Sequence, residues 1–411
     1  DTSNQSHYQR FIEMDSALSE ALLQCKREIE SNHNLVNKIR DKYRIKNTLG
    51  YSLNSFLDYE HPLDIFAHLL VGAEGTLAFI SQVTLNTIPD PPYKTTGLIL
   101  FESVEKAIQT LPIFINEGAD AVELLDDASL RTAHYLKTPP YNPMIIEENM
   151  AGLLFEFQKY DKNSINQLSA SIPVELKKVG CDLIFGPTED DTSRIQLWKL
   201  RKGLYPTVGA LRKKGTSVIT EDLCYDYKDL PEVVKELRII FQKWRYDDAV
   251  IFGHAKDGNL HFSASMDLNS SDGVKRFDGL LQDMVELTVG KFNGSLKAEH
   301  GTGRNMAPFV EYEWGGELYQ IMWKIKQIAD PEGILNPDVL LTKDQKLHIK
   351  NLKPIPVVHD SVDLCVECGF CEPVCPSAGL SFTPRQRIVI ARELRLNEKD
   401  TRINRKKMLK D

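Results

Sequence analysis

Between about residue 93 and residue 295, short apolar segments alternate with longer segments that carry apolar residues at helical spacing. The short segments are predicted to be strands, at 97–101, 121–125, 152–157, 183–185, 217–223, 249–252 and 260–264. Helices are predicted between them, at 104–116, 165–179, 230–244 and 274–292. Because strands and helices are interleaved and a tight return at 257–259 joins the last two strands, the pattern predicts an α+β domain with a mostly antiparallel sheet.

Changes of texture along the chain predict the domain boundaries. Residues 13–45 carry apolar positions at helical spacing among many charges, which predicts one or two amphipathic helices. Residues 46–92 hold short apolar runs and glycines, with a strand-like stretch at 78–85, and end in a proline cluster. Residues 346–358 contain two prolines and little periodicity, which is typical of a linker. The predicted domains are therefore 1–92, 93–345 and 346–411.

Composition narrows the classes of function. Of the 411 residues, 42% are hydrophobic and 26% are charged, which are ordinary globular values and exclude disorder as the main state. A net charge of −8 disfavours general binding to a phosphate backbone, so no nucleic-acid partner is expected. The chain has no run of about 18 apolar residues, so no transmembrane segment is expected.

Four of the seven cysteines lie within eleven residues and follow the spacing C-x2-C-x2-C-x3-C-P. This spacing is typical of the thiolate ligands of a 4Fe-4S cluster, and a zinc knuckle or idle thiols are less favoured alternatives. Clustering also argues against a disulfide framework and for a reducing compartment, which predicts a cytoplasmic location. The predicted iron–sulfur ligands are Cys365, Cys368, Cys371 and Cys375.

The residues after this run are unusual in two ways. In modules with two clusters the fourth cysteine ligates the second cluster, yet the 36 residues after Cys375 contain no cysteine. We therefore expect the chain to stop inside its iron–sulfur module, so that the thiols need not hold an intact cluster. Residues 381–411 carry ten Lys or Arg against four Asp or Glu, which is compatible with an acidic partner or a peripheral contact with anionic lipid. A solvated helix face is the favoured interpretation.

The segment 71–77 reads Val-Gly-Ala-Glu-Gly-Thr-Leu, between a helical and a strand-like stretch. Its glycines would let backbone N–H groups approach an anionic group such as a pyrophosphate. The segment is neither a dinucleotide fingerprint nor a P-loop. By itself it favours a plain turn between a helix and a strand.

Two histidines flank the predicted tight return, and a carboxylate lies beside a third histidine further along the chain. A short hairpin loop would place His254 and His261 on the same side of the sheet. With Glu299 they form a His2Glu set of the kind that holds a catalytic zinc ion, although spacing does not separate zinc from iron or manganese. His300 is then free to act as a base. Structural histidines near a glycine-rich corner are the alternative.

Arg201 lies in a basic stretch just before a glycine and a proline. Its guanidinium group is suited to bidentate binding of a substrate carboxylate. A surface arginine ahead of a helix end is an equally good interpretation of the pattern.

Together these segments resemble one family, the flavin-linked D-2-hydroxy-acid dehydrogenases of the vanillyl-alcohol-oxidase (PCMH-type) fold, in the branch with a fused C-terminal iron–sulfur module. The resemblance extends from about residue 42 to residue 392, and the chain looks like the bacterial D-2-hydroxyglutarate and D-lactate dehydrogenases. The segments that carry it are 71–77, 253–261, 299–304, 330–337 and 365–376.

The resemblance implies a fold and a set of roles. The central part would be the FAD-linked oxidase C-terminal (cap) domain, between part of an FAD-binding domain and part of an α-helical ferredoxin domain. The residues that match the family's flavin turn are Gly72, Glu74, Gly75 and Thr76, with Ala73 in place of the usual serine. Those that match its divalent-metal ligands (zinc, with manganese or iron as alternatives) are His254, His261 and Glu299. The base, the carboxylate-binding residue and a weaker match for a second anion partner are, in order, His300, Arg201 and Lys214.

The implied activity is oxidation of a small D-2-hydroxy acid to the 2-keto acid. The metal would bind the substrate, His300 would take the hydroxyl proton, Arg201 would bind the carboxylate, and FAD would take the hydride. Electrons would pass through 4Fe-4S clusters to a quinone or an electron-carrier protein, at the inner face of the membrane or in the cytoplasm. A flavoprotein acting on glycolate or a sugar acid, and a non-catalytic iron–sulfur electron-transfer module, remain alternatives.

Family members normally begin with a longer flavin-binding region than this chain holds. We therefore expect the chain to be a piece of a longer enzyme, with its metal and substrate groups preserved. Such a piece would bind FAD poorly and would be inactive alone.

Overall fold

One antiparallel sheet organises the central part of the chain. The computed structural model describes residue 2 and residues 4–181 and 183–397. Seven strands form a sheet in the order β4-β1-β3-β2-β6-β7-β5, and every paired neighbour is antiparallel. The strands are β1 (Tyr93–Phe101), β2 (Ala121–Asp126), β3 (Ala151–Lys159), β4 (Ile184–Thr188), β5 (Ser217–Cys224), β6 (Val250–His254) and β7 (Asn259–Met266).

Each of the seven strands predicted between residues 93 and 295 is present, and the α+β class with a mostly antiparallel sheet is confirmed. The strand-like interpretation of residues 78–85 is wrong, because residues 78–92 form no strand. A strand needs a ladder partner, and no described strand pairs with this segment. Its apolar side chains stay in solvent, with Phe79 87% and Ile88 90% exposed.

Helices flank the sheet and build the N-terminal part of the chain. They are α1 (Gln5–Met14), α2 (Ser16–Glu30), α3 (His33–Lys42), α4 (Ser55–Asp58), α5 (Pro62–Leu69), α6 (Val104–Asn116), α7 (Asp127–Arg131), α8 (Lys162–Lys178), α9 (Asp191–Lys202), α10 (Leu204–Leu211), α11 (Leu230–Lys243), α12 (Ser271–Val285), α13 (Gly303–Met306), α14 (Val310–Trp314), α15 (Gly316–Ala329) and α16 (Pro384–Leu396). The amphipathic stretch at 13–45 thus forms parts of three helices, because Asp15 and Asn32 cap new helices with their side chains.

The two faces of the sheet pack against different sets of helices. The larger core joins one face to α6, α8 and α11 and continues into the N-terminal helices and α15. A smaller core on the other face includes Leu125 of β2, Phe252 of β6, and Leu197 and Leu200 of α9. Helices α9 and α10 follow each other directly and contact this second face. The second face therefore carries α9, in which Arg201 lies.

The predicted tight return is confirmed as a hairpin between β6 and β7. A single turn of 3-10 helix at Ala255–Asp257 leads into Gly258, whose φ is 68°. A Cβ added at Gly258 would lie 1.8 Å from the carbonyl oxygen of Tyr225, so only glycine fits here. This fixes the register of the hairpin, in which Phe252 pairs with His261 and His254 pairs with Asn259.

Among the helices that the structure describes, none has both the length and the apolar character needed to cross a membrane. The basic tail at 381–411 begins with α16, which a capping box at Thr383 and Gln386 starts. Six of its ten Lys or Arg residues lie at 398–411, outside the described residues.

Candidate metal and substrate site

Strand register places four polar residues on one face of the sheet. Residues directly opposite each other in an antiparallel pair share a face, and so do residues two apart on one strand. Glu123 on β2 is opposite His254 on β6, and Asp222 on β5 is opposite His261 on β7. Since His261 is opposite Phe252, two residues before His254, all four side chains project from the face that packs against α9.

Glu299 completes this row from the loop after the sheet. One oxygen, Oε1, lies 2.9 Å from Nε2 of His254 and 3.4 Å from Nε2 of His261. Ligand atoms around one tetrahedral zinc ion lie about 3.3 Å apart, as bond lengths near 2.0 Å require. The structure therefore places one oxygen of Glu299 close to a ring nitrogen of both histidines that the sequence predicts as metal ligands, and the role of the three as ligands stays a prediction.

The donor set also fits a cation chemically. Nδ1 of His254 lies 2.6 Å from Oε1 of Glu123, a hydrogen bond that raises the pKa of the imidazole. In the neutral ring that donates its Nδ1 proton to Glu123, Nε2 carries a lone pair. That lone pair faces a carboxylate oxygen, and two electron-pair donors approach so closely only with a proton or a metal ion between them. In His261, burial lowers the pKa to about 3, so this imidazole is neutral, as a ligand must be.

Each of the two histidines has a carboxylate near its Nδ1 atom, Glu123 for His254 and Asp222 for His261. Burial alone would raise the pKa of Glu123, but its hydrogen bonds with His254 and Arg201 hold it below its usual value. Burial would likewise raise the pKa of Asp222, and the backbone N–H groups of Glu299 and His300 lower it. Asp222 Oδ1 lies 3.4 Å from Nδ1 of His261. Such carboxylate–histidine pairs fix ring orientation and raise ligand basicity at metal sites.

Asp222 is the residue that sets the position of the Glu299 loop. Its Oδ2 accepts the backbone N–H groups of Glu299 at 2.7 Å and of His300 at 2.8 Å, and its Oδ1 accepts Nδ2 of Asn259 at 2.8 Å. On the outer side, Nζ of Lys46 lies 3.7 Å from Oε2 of Glu299 and 2.9 Å from Asp257. Oε1 of Glu299 therefore faces the two histidines, while Oε2 faces Lys46.

Arg201 reaches the same site from α9. Its Nε donates to Oε2 of Glu123 at 2.7 Å, and its guanidinium carbon lies 4.5 Å from the ring centre of Phe252. No described residue is seen bonded to its two Nη groups, which leaves the fork free for an anion. One carboxylate, Glu123, thus joins Arg201 to His254.

His300 lies on the open side of the site. Its ring is stacked on that of His261, with centroids 4.9 Å apart and planes 10° from parallel. Ligand atoms of Asp222, His261, Glu299 and His300 also lie within 4.8 Å of one another, which defines a second possible metal set. We favour the set with His254, because Asp222 already accepts three hydrogen bonds and is buried behind the loop.

Lys214, the weaker predicted anion partner, lies elsewhere in the described contacts. Its Nζ forms an ion pair with Asp360 at 2.6 Å, in the segment before the cysteine run. The structure therefore does not bring Lys214 together with the three histidines of the site, His254, His261 and His300, which we call the histidine row. Its role in anion binding stays a prediction.

The predicted flavin turn contacts the same loop from the N-terminal side. Gly72 and Gly75 are exposed, have φ of 79° and 72°, and would accept a Cβ without meeting any atom within 4 Å. Such an open backbone fits the close approach of a phosphate group. Glu74 instead accepts the N–H of Gly303 at 3.1 Å, and the Thr76 hydroxyl bonds to Ala73 and Tyr51. The flavin-binding role of these four residues stays a prediction.

The four cysteines of the run are all free of disulfides. Cys368 is exposed, and the other three, Cys365, Cys371 and Cys375, are half-buried. Cys365 Sγ accepts the backbone N–H of Glu367 at 3.4 Å, and Cys375 Sγ contacts the hydroxyl of Ser377 at 3.2 Å. Four thiols are the ligand type that a 4Fe-4S cluster requires, and the role of these cysteines as its ligands stays a prediction.

Sequence reasoning missed Glu123, Asp222 and Lys46. The first two had a detectable signal, since each is an acidic residue inside an apolar strand, where a buried charge requires a partner. Lys46 had none, because it reaches the site from a loop more than two hundred residues away in the chain.

Replacing Glu123 by glutamine is expected to weaken divalent-metal binding by about 10- to 100-fold, because the carboxylate behind His254 is lost. Glu156→Gln is the matched control. Glu156 is another buried glutamate of the sheet, but it bonds to Arg194 and Trp198 and to no histidine. Metal titration of the two variants by calorimetry checks the prediction, and equal affinities would contradict it.

Comparison with known proteins shows which sequences this chain resembles. Residues 90–340, more than half of the chain, match the family model described as FAD linked oxidases, C-terminal domain. The chain is similar to the D-2-hydroxyglutarate dehydrogenase of Haemophilus influenzae, with 27% identity, covering 84% of this chain and 37% of that protein. It is 26% identical to the glycolate oxidase subunit GlcD of Bacillus subtilis, covering 68% of this chain and 58% of that protein.

A third relative is the probable mitochondrial D-lactate dehydrogenase of Danio rerio, which is 26% identical and covers 68% of this chain and 54% of that protein. The chain thus spans between 37% and 58% of the length of these relatives.

Proposed function

We propose that this chain carries the substrate and metal site of a D-2-hydroxy-acid dehydrogenase. The chain belongs to the FAD-linked oxidase family, because residues 90–340 match the C-terminal domain of that family. The family makes it part of an FAD-linked oxidoreductase. The main support for this proposal is that Oε1 of Glu299 lies close to a ring nitrogen of both His254 and His261. Arg201, whose Nη groups bond to no described residue, lies beside the same site because its Nε donates to Glu123.

In this proposal Arg201 binds the carboxylate of the substrate. Its Nη groups can accept a planar carboxylate in a bidentate manner, and Glu123 on one side and Phe252 below keep the guanidinium plane fixed. This holds the substrate so that its hydroxyl group lies toward the histidine row. The neutral alcohol and the acid group are thereby recognised at two points, which selects a 2-hydroxy acid.

His254, His261 and Glu299 would hold the divalent cation, and this donor set suits zinc, with iron or manganese as alternatives. When bound, the cation would lower the pKa of the substrate hydroxyl, and FAD would accept the hydride. His300 takes the hydroxyl proton, because its exposed ring lies against His261 and its ring nitrogens bond to no described residue. The Asp222 carboxylate keeps the His300 backbone in place during this transfer.

The electron acceptor in this proposal is not NAD. Gly72 and Gly75 would contribute to flavin binding at the turn, and Cys365, Cys368, Cys371 and Cys375 would hold a 4Fe-4S cluster, which when bound would supply electron transfer to a quinone or a carrier protein. A cytoplasmic site of action, with or without peripheral contact with the membrane, belongs to the same proposal.

Replacing Arg201 by glutamine is expected to lower kcat/KM for the hydroxy acid by about 10- to 100-fold, mostly through KM. Hydrogen bonds to a charged group contribute about 1.5–3 kcal/mol, and the fork supplies the charge. Arg194→Gln is the matched control, since Arg194 lies two turns earlier on α9 and bonds to Glu156 instead. An equal loss for a substrate analogue without a carboxylate would contradict the role of Arg201.

A second candidate substrate is glycolate or a sugar acid, which similarity to a glycolate oxidase subunit supports. Dye-linked oxidation by the flavin-loaded holoenzyme of D-lactate, D-2-hydroxyglutarate, glycolate and the L-enantiomers separates the candidates. Oxidation of a D-acid in preference to its L-enantiomer and to glycolate is expected. No oxidation of any hydroxy acid, with iron–sulfur absorption intact, would instead support a non-catalytic electron-transfer module.

A further inference from the structure

The loop that begins the cysteine run packs closely on helix α10. Gly209 lies on that helix opposite Val366, and a Cβ added at Gly209 would lie 2.3 Å from Cγ1 of Val366. Because Gly209 has no side chain, Val366, the residue directly after Cys365, can pack against the backbone of α10. Helix α10 follows α9 through Gly203, so the cysteine loop docks on the same pair of helices that carries Arg201.

Arg212, just after α10, locks this contact. It is 4% exposed, and its guanidinium group donates to five backbone carbonyls. Nη1 bonds to Gly209 at 2.6 Å and Leu364 at 2.7 Å, and Nη2 bonds to Asp363 at 2.7 Å and Cys365 at 3.0 Å. Nε bonds to Thr216 at 2.9 Å. Since three of these carbonyls belong to consecutive residues at the start of the run, one side chain holds the loop on the sheet domain.

A second buried arginine meets the first at the same peptide. Arg392 of α16 is 4% exposed, and its Nη2 donates to the carbonyl of Cys365 at 2.8 Å while Nη1 donates to Glu367 at 2.8 Å. Both guanidinium groups therefore share the carbonyl oxygen of the first cysteine. Two buried positive charges so close together repel each other unless negative charge lies nearby.

The carboxylates present offset only part of this charge. Glu367 is shared between Arg392 and Lys353, and Asp363 uses one oxygen to accept the N–H groups of Val358 and His359. Around the loop, the three cations Arg212, Arg392 and Lys353 thus lie near two carboxylates, Glu367 and Asp363. A 4Fe-4S cluster with four thiolate ligands is anionic in its oxidised state and gains one more negative charge on reduction, so it supplies the missing negative charge.

We propose that Arg212 and Arg392 dock the Cys365 loop on helix α10 and raise the reduction potential of the 4Fe-4S cluster that Cys365 ligates. The potential part rests on the iron–sulfur element of the proposed function, and the docking part does not. Reduction adds one electron to the oxidised cluster, with no bond broken and no proton moved, and the two guanidinium charges stabilise that electron. Arg212 is a positioning residue, since it touches the cysteine backbone and not the reacting atoms.

Redox titration of the reconstituted chain with dithionite, followed by electron paramagnetic resonance, tests the potential. Arg212→Gln is expected to make the one-electron reduction about tenfold less favourable, a shift of about 59 mV to lower potential. Arg212→Lys keeps the charge and should retain most of the wild-type potential. Lys353→Gln is the matched control, because it removes an exposed cation from the same loop and should shift the potential much less.

Thiol labelling of the cluster-free chain, read by peptide mass spectrometry, tests docking separately. In both Arg212 variants, Cys365 should label several-fold faster relative to exposed Cys368, because neither glutamine nor lysine can bridge the five carbonyls. An unchanged labelling ratio would overturn the docking part, and an unchanged potential in Arg212→Gln would overturn the potential part. A wild-type chain that takes up no cluster overturns the iron–sulfur element of the proposed function and the potential part together, while labelling still decides docking.

Discussion

Replacing His261 by alanine is expected to remove the divalent cation and to lower kcat/KM of the flavin-loaded holoenzyme by about a thousandfold. A metal that polarises the substrate contributes several kcal/mol to transition-state stabilisation, and each 1.36 kcal/mol is about tenfold in rate. His261 is buried and its Nε2 lies 3.4 Å from the oxygen shared with His254. Its removal leaves two ligands, which are too few to keep the cation. Metal content and dye-linked oxidation of a D-2-hydroxy acid are the measurements.

His348→Ala is the matched control for this variant. His348 is also buried, and its Nε2 bonds to Asp278 at 2.7 Å, so its replacement costs stability in the same way without touching the histidine row. The control should keep its metal and its activity at a temperature where both variants are folded. Retained oxidation in His261→Ala would refute the metal-assisted mechanism.

Replacing His300 by glutamine is expected to lower kcat by about 10²- to 10⁴-fold, the usual contribution of a positioned general base. The backbone N–H of residue 300 still bonds to Asp222, so the Glu299 loop should keep its position. The metal content should therefore match that of the wild type, in contrast to His261→Ala.

The same variant separates the two possible metal sets. If the cation is held by Asp222, His261, Glu299 and His300, then His300→Gln loses it and His254→Ala does not. The opposite pattern is expected, because His254 Nε2 lies 2.9 Å from Glu299 while its Nδ1 is already bonded to Glu123. Metal analysis of both variants side by side decides between the sets.

The sheet was predictable because local pattern and final environment agree. Residues 152–157 are continuously apolar apart from one glutamate, and they lie inside β3, which is buried over its first seven residues. Residues 78–85 carry the same kind of pattern but form no strand, since a strand depends on a partner that lies elsewhere in sequence. The apolar pattern thus predicts that a segment can form a strand, but the segment forms one only if another strand pairs with it.

The candidate site was predictable only in part, for a related reason. The tight turn at Gly258 made it possible to place His254 and His261 on one side, because a hairpin of known length fixes the facing residues. The partners on the outer strands, Glu123 and Asp222, depend on which strands lie beside the hairpin, and sequence order does not show this. The contact of Lys214 with Asp360 was likewise not visible in the sequence, and the role of Lys214 in anion binding stays a prediction.

His254, His261 and Glu299 are proposed to bind one divalent cation. X-ray absorption at the zinc edge, on zinc-loaded chain in which all four cysteines of the run are replaced by serine, tests it most directly. We predict one zinc per chain, with two imidazole nitrogens near 2.0–2.1 Å and a carboxylate oxygen in its coordination shell. The imidazole signal should vanish in a His254→Ala and His261→Ala double variant. A chain that retains no zinc, or a zinc shell without imidazole, would contradict the claim.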